Sequence, residues 1–131
     1  MPRRIFTKKD SEHRRTIDAC PRSVHIMVEP ATTDSEHLAM GVEQVDPGSQ
    51  IPMHVHADAE EILFIYDGRG RVRLGNEEVE IGPETAIFVP KGVPHGFVNT
   101  SGASVWLTWT FSPPGEEEKF RNEEVWKHVA R

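Results

Sequence analysis

Two histidines two residues apart, His54 and His56, precede two adjacent glutamates, Glu60 and Glu61, in the stretch MHVHADAEEILFIYDG at 53–68. On a β-strand, residues i and i+2 project from the same side, so these imidazoles stand about 6–7 Å apart along the chain. Side chains so placed can converge on one ion at roughly 2.0–2.2 Å, with a carboxylate from a neighbouring strand completing the set. A bare His-x-His pair is more often structural than metal-binding. The chemistry therefore depends on the elements that hold these residues and on which glutamate joins them.

The chain has 131 residues, of which 27% are charged and 37% hydrophobic, the balance of one globular domain. A net charge of −6, with Asp10 and Glu12 interrupting the basic N-terminal residues, argues against nucleic acid as a partner. No apolar run follows the basic start MPRR, and no stretch approaches the length of a membrane span, so a cytoplasmic protein with no membrane partner is expected. Cys20 is the only cysteine, which excludes an intrachain disulfide and a thiolate cluster. Any metal would have to be held mainly by nitrogen and oxygen.

Residues 1–23 read as an arm, with one short strand around 4–7, that packs across the body. Short apolar or β-branched runs follow, predicting strands at 24–29, 38–45, 51–56, 60–66, 70–75, 77–81, 86–89, 94–99 and 104–111. Turn residues separate them, among them Asp46-Pro47-Gly48, Asp67-Gly68 and Gly75-Asn76. This spacing suits an all-β sandwich or barrel over 24–112. A C-terminal helix is expected over 116–130, which lacks Gly and Pro, begins acidic and ends with Lys127 and His128. The whole chain, 1–131, is then a single domain.

Face parity separates the glutamates: Glu61 lies with Leu63 and Ile65, whereas Glu60 lies with Ile62, Phe64 and Tyr66. Both faces of that strand are largely apolar, as are both faces of 104–111, so something must cover the side that does not line the barrel. A second copy of the chain, giving a homodimer, is the favoured cover; the arm and the C-terminal helix are the alternative.

Reading outward, Gly48, five residues, His54-Val55-His56, four residues, Glu61, six residues and Gly68 form one ordered pattern. Pro90, Gly92, His95 and Asn99 form a second, spaced as Pro-x-Gly-x-x-His-x-x-x-Asn. Together these resemble the two motifs of the cupin superfamily, and the chain is similar to its small single-domain bacterial members, the cupin 2 conserved-barrel type, over roughly 38–111. One position departs from the pattern: Glu84 stands where the second motif usually has glycine, with Gly82 two places earlier, which implies a modified turn before 86–89.

The resemblance implies a double-stranded β-helix, a jelly-roll barrel of two antiparallel sheets with an N-terminal arm and a short C-terminal helix. It also implies the ligand set His54, His56, Glu61 and His95 for one divalent ion per chain. Three imidazoles and a carboxylate suit Fe(II), Mn(II), Ni(II) or Zn(II) and leave positions open for substrate, water or O₂. Asn99 shares the face of His95, and in this family that asparagine is more often structural. His13, His25, His37 and His128 read as surface or second-shell residues.

Parity puts Phe97 with His95 on the inner face, and Leu63 and Ile65 with Glu61. Trp106 and Thr108 join the pocket if the even face of their strand is inward. From 38–45, either Met40, Val42 and Gln44 or Ala39, Gly41, Glu43 and Val45 point in. A pocket so lined suits a small organic substrate. The leading expectation is a metal-dependent enzyme, an Fe(II)-type dioxygenase. A non-redox isomerase, lyase or hydrolase is the near rival, and it needs an inward general base, Glu43 or Glu60. A non-catalytic small-molecule binder is the rival of another class.

Overall fold

The computed structural model describes residues 1–130. Among these described residues eleven strands form two antiparallel sheets: β1 (Glu12–Thr16), β2 (Arg22–Val28), β3 (Ala39–Val45), β4 (Gln50–His54), β5 (Glu60–Asp67), β6 (Gly70–Leu74), β7 (Glu77–Ile81), β8 (Thr85–Val89), β9 (His95–Val98), β10 (Val105–Ser112) and β11 (Lys127–Val129). The larger sheet runs β11-β1-β2-β3-β10-β5-β8 and the smaller β4-β9-β6-β7. This is the expected two-sheet jelly roll, and all nine strands expected over 24–111 are present, with ends shifted by two residues or fewer.

The core lies between the sheets and is built by alternation. On β10, Val105, Leu107, Trp109 and Phe111 are buried while the intervening residues are half-exposed. From the facing sheet, Val72 and Phe97 are buried against the same core cluster. Gly68 closes the turn after β5 with φ 95, where a Cβ would fall 2.8 Å from the Val105 side chain. Glu84, at the position where the family pattern has glycine, takes φ 63, and its N–H donates to the Ile65 carbonyl at 2.7 Å. The modified turn is thus a left-handed turn made by a residue with a side chain.

Two expectations at the chain ends are corrected. The arm has no strand at 4–7; instead a single 3-10 turn, Lys8–Asp10, leads into β1. β1 is Glu-His-Arg-Arg-Thr, without an apolar period to announce it. It is held by ladders to β2 and β11 and by the Arg15 to Asp46 ion pair. At the other end, helix α1 (Lys119–Asn122), preceded by a 3-10 turn at Glu116–Glu118, stops far short of 130, and Lys127–Val129 is strand. Phe120 and Trp126 are both buried and meet edge to face at 5.0 Å. In one continuous helix they would lie about 120° apart around the axis, so burying both against one wall requires the helix to break.

The arm covers part of the outer face of the larger sheet: the Lys8 ammonium lies 4.0 Å over the Trp106 ring, and the Ser11 hydroxyl is 3.3 Å from His25 Nδ1. The β5–β8 end stays bare, with Ile62 48%, Phe64 37%, Tyr66 41% and Phe88 54% exposed. Among the described residues, no helix is long and apolar enough to cross a membrane.

Candidate metal centre

His54 ends β4, His95 begins β9, and the two are paired in register, which places their rings 4.2 Å apart. His56 lies beyond the end of β4 rather than on it, yet its ring comes within 4.7 Å of His54 and 4.9 Å of His95. Glu61 reaches the cluster from β5 in the opposite sheet and is buried, whereas Glu60 is exposed. The four side chains offer one donor atom each, all within 4.8 Å of one another, and so could hold a metal ion.

Hydrogen bonds decide which ring nitrogens face inward. His54 Nδ1–H donates to the Pro52 carbonyl at 2.7 Å, and His95 Nδ1–H to the Val93 carbonyl at 3.0 Å. A carbonyl only accepts, so in the neutral imidazoles Nε2 carries the lone pair. His56 Nδ1 lies 3.4 Å from Glu116 Oε1, the carboxylate–histidine arrangement that fixes a ligand's tautomer. The inward nitrogens meet Glu61: its Oε1 is 3.0 Å from His95 Nε2 and 3.2 Å from His56 Nε2. His56 Nε2 is buried without a hydrogen-bond partner. Lone pairs facing a carboxylate need a cation between them, and three nitrogens with one oxygen fit a divalent first-row metal. The donor set thus fits the ion implied by the sequence motifs.

The charge states agree with that role. Burial, reinforced by the positive charge of Lys119, holds the His54 imidazolium down to about 3, so the ring is neutral at neutral pH. Burial alone would raise the Glu61 carboxyl, but N–H donors or positive charge on the His56 and His95 side outweigh it and hold it at about 2, and a cation between these groups would act in the same sense.

The cluster opens into a cavity of about 320 Å³ lined by residues of both sheets and the C-terminal segment. Of the expected pocket residues, Leu63 and Phe97 line it. Ile65 is fully buried deeper in the core and does not reach it. Trp106 and Thr108 face the other way, because the odd residues of β10 point inward and place Trp109 and Phe111 in the wall instead. Asn99 is structural: its amide donates to the carbonyls of Val45, Asp46 and Ala103 and accepts from Ser101. His13 and His25 stack at 4.2 Å away from the cavity, on the strands β1 and β2.

On β3 the odd face points inward, and it brings Glu43 into the cavity. Burial pushes the Glu43 carboxyl up to about 7, with the Arg22 guanidinium, 3.3 Å away, opposing the rise. Arg22 donates to the Cys20 carbonyl at 2.9 Å and lies 5.0 Å over the Trp126 ring. Sequence reasoning missed Arg22, Glu116, Lys119 and Trp126 as cavity residues. The last three stand on a segment read as one continuous helix, and its break at Asn122 carries no local signal.

The cupin domain model matches residues 41–111, more than half of the chain. The chain belongs to the cupin family. As a cupin it is 32% identical over 74 residues to an uncharacterized protein of Methanocaldococcus jannaschii, covering 56% of this chain and 59% of that one. It is 24% identical over 91 residues to the tetracenomycin polyketide synthase protein of Streptomyces glaucescens, covering 70% and 61% respectively. The chain thus spans about three-fifths of the length of these relatives. Among solved structures, the polyketide cyclase RemF of Streptomyces resistomycificus shares the cupin fold with a TM-score of 0.69 and 20% identity, covering 95% of this chain and 96% of that one.

Proposed function

We propose that this cupin is a metal-dependent enzyme that moves a proton on a small carbonyl- or enol-bearing molecule, an isomerase- or cyclase-type reaction without net oxidation. The observation that carries this reading is Glu43, a buried carboxyl that shares the cavity with the ligand cluster and titrates near neutrality. His54, His56, Glu61 and His95 would hold the ion, which supplies Lewis acidity towards a carbonyl or enol oxygen. As carboxylate, Glu43 takes a proton from the carbon next to the carbonyl, and the C–H electrons pass into the enolate. As acid it returns the proton to another carbon, so the balance is that of an isomerisation. Trp109, Phe111, Phe120 and Trp126 line the cavity with apolar surface that excludes water around the reacting carbon.

The name of the Streptomyces glaucescens relative supports a substrate rich in carbonyl groups, as polyketides are. An Fe(II)-type dioxygenase would use the same donor set but has no need of Glu43. The discriminating experiment takes protein purified without chelators and a panel of 1,3-dicarbonyl compounds in D₂O, run in parallel under anaerobic conditions and in air, with the protein-free exchange rate subtracted. Metal-dependent deuterium incorporation that Glu43→Gln abolishes is the expected result. Turnover that occurs only with stoichiometric O₂ uptake would establish the dioxygenase instead, and tight binding without exchange or O₂ uptake would establish a binder.

The cupin is further proposed to act as a homodimer through the bare β5–β8 face. Ile62 and Phe88 are register partners there, and no lysine or arginine interrupts the outward row of Ile62, Phe64, Ala86 and Phe88. This suits self-association better than a charged partner.

A further inference from the structure

The cavity holds two cations besides whatever ion the ligand cluster takes, and they differ in how they are satisfied. Arg22 faces the Glu43 carboxyl at 3.3 Å, donates to a backbone carbonyl and stacks on Trp126. Lys119 stands on α1, half-buried, facing the same cavity. Among the described residues its ammonium has no carboxylate within 4.0 Å and no hydrogen-bond acceptor; its one near contact is the Phe120 ring at 5.3 Å. It lines the same cavity as Glu43 and the four residues of the ligand cluster. Of the two cations, Lys119 is thus the one without a carboxylate partner, and an anionic group on the ligand would supply it.

We propose that Lys119 is a specificity-determining residue that binds the carboxylate of the substrate, so that the cavity takes a small planar organic acid whose carbonyl, enol or phenol oxygen faces the His54, His56, Glu61 and His95 cluster. This rests on the metal-dependent reading above and narrows its substrate class. The planar part is argued from the walls, which the aromatic residues Phe97, Trp109, Phe120 and Trp126 help to line. The number of charges is set by the carboxylates: Glu116 and Glu123 also line the cavity and disfavour a second anionic group. A substrate carboxylate would give the half-buried ammonium a charge-assisted hydrogen bond.

The test uses two probes that present the same metal-chelating end, 3,4-dihydroxybenzoate and its neutral amide 3,4-dihydroxybenzamide. Binding to the zinc-loaded protein is followed by calorimetry and by quenching of tryptophan fluorescence. The native protein is expected to bind the acid about tenfold or more tightly than the amide, the scale of one hydrogen bond to a charged group. Lys119→Met should reduce that preference to less than about twofold, and Lys119→Arg should retain most of it. Equal binding of the two probes by the native protein, or a preference that survives Lys119→Met, overturns the carboxylate subsite. Failure of the metal reading looks different: amide binding would then be indifferent to removal of zinc, or to His95→Ala, whatever residue 119 is.

Discussion

Glu43→Gln tests whether the inward carboxyl carries its proton at neutral pH. In the folded chain burial raises this group from its ordinary 4.5 to about 7, despite Arg22. At about 1.4 kcal/mol for each tenfold change in proton affinity, the folded state favours the protonated form by about 3 kcal/mol relative to the unfolded chain. A folded-state pKa above the unfolded value means that the folded chain binds more protons between pH 4.5 and 7. That contribution is therefore fully present below 4.5 and is lost as the pH rises through 7. Glutamine does not titrate, so the stability difference between variant and native protein should move in the variant's favour by about 3 kcal/mol from pH 4.5 to 8. The offset at low pH also contains the effect of changing the partner of Arg22, so the change with pH is the quantity to read. Urea unfolding followed by tryptophan fluorescence at half-unit pH steps measures it, on metal-stripped samples of both proteins so that ion binding does not add its own proton release. Parallel curves, with a constant difference across this range, would show that Glu43 is ionised throughout and would remove it as the proton carrier.

Three further outcomes follow from the same geometry. Glu61→Ala should abolish retention of one metal per chain and lower the midpoint of thermal unfolding towards that of chelator-treated native protein, while Glu60→Ala leaves both unchanged; metal analysis and calorimetry check this, and the reverse result would exchange the two roles. Glu116→Gln should weaken metal affinity by about 10- to 100-fold in competition titrations against a chromophoric chelator, because His56 loses the carboxylate that orients it; unaltered affinity would make that 3.4 Å contact incidental. Phe88→Asp, on the bare end of the larger sheet, should sediment as a monomer where the native chain sediments as a dimer; a native monomer would dismiss the homodimer.

What the sequence makes legible here depends on whether one face of a strand is distinguishable from the other. On β6 and β7 charge alternates with apolar side chains, and Arg71 to Glu80 and Arg73 to Glu78 pair across the outer face as the pattern requires. Spacing locates His54, His56, Glu61 and His95 because the motif glycines and the prolyl turn fix how far apart the strands carry them. On β10 the same logic fails: Trp106 and Trp109 have opposite parity and similar hydrophobicity, and only the assembled sheets show that Trp109 is inside while Trp106 lies under Lys8.

The C-terminal segment fails for a different reason, since its helical composition is overridden by two aromatic residues that must reach one wall. This matters most for function. The two motifs carry the four residues that could hold a metal, but the two cations of the cavity are supplied from outside the 41–111 match, by Arg22 at the start of β2 and Lys119 after β10. Residues outside the motifs are free to differ between chains that share the ligand set. The charge selectivity proposed for Lys119 would therefore rest on the segments that the family pattern describes least.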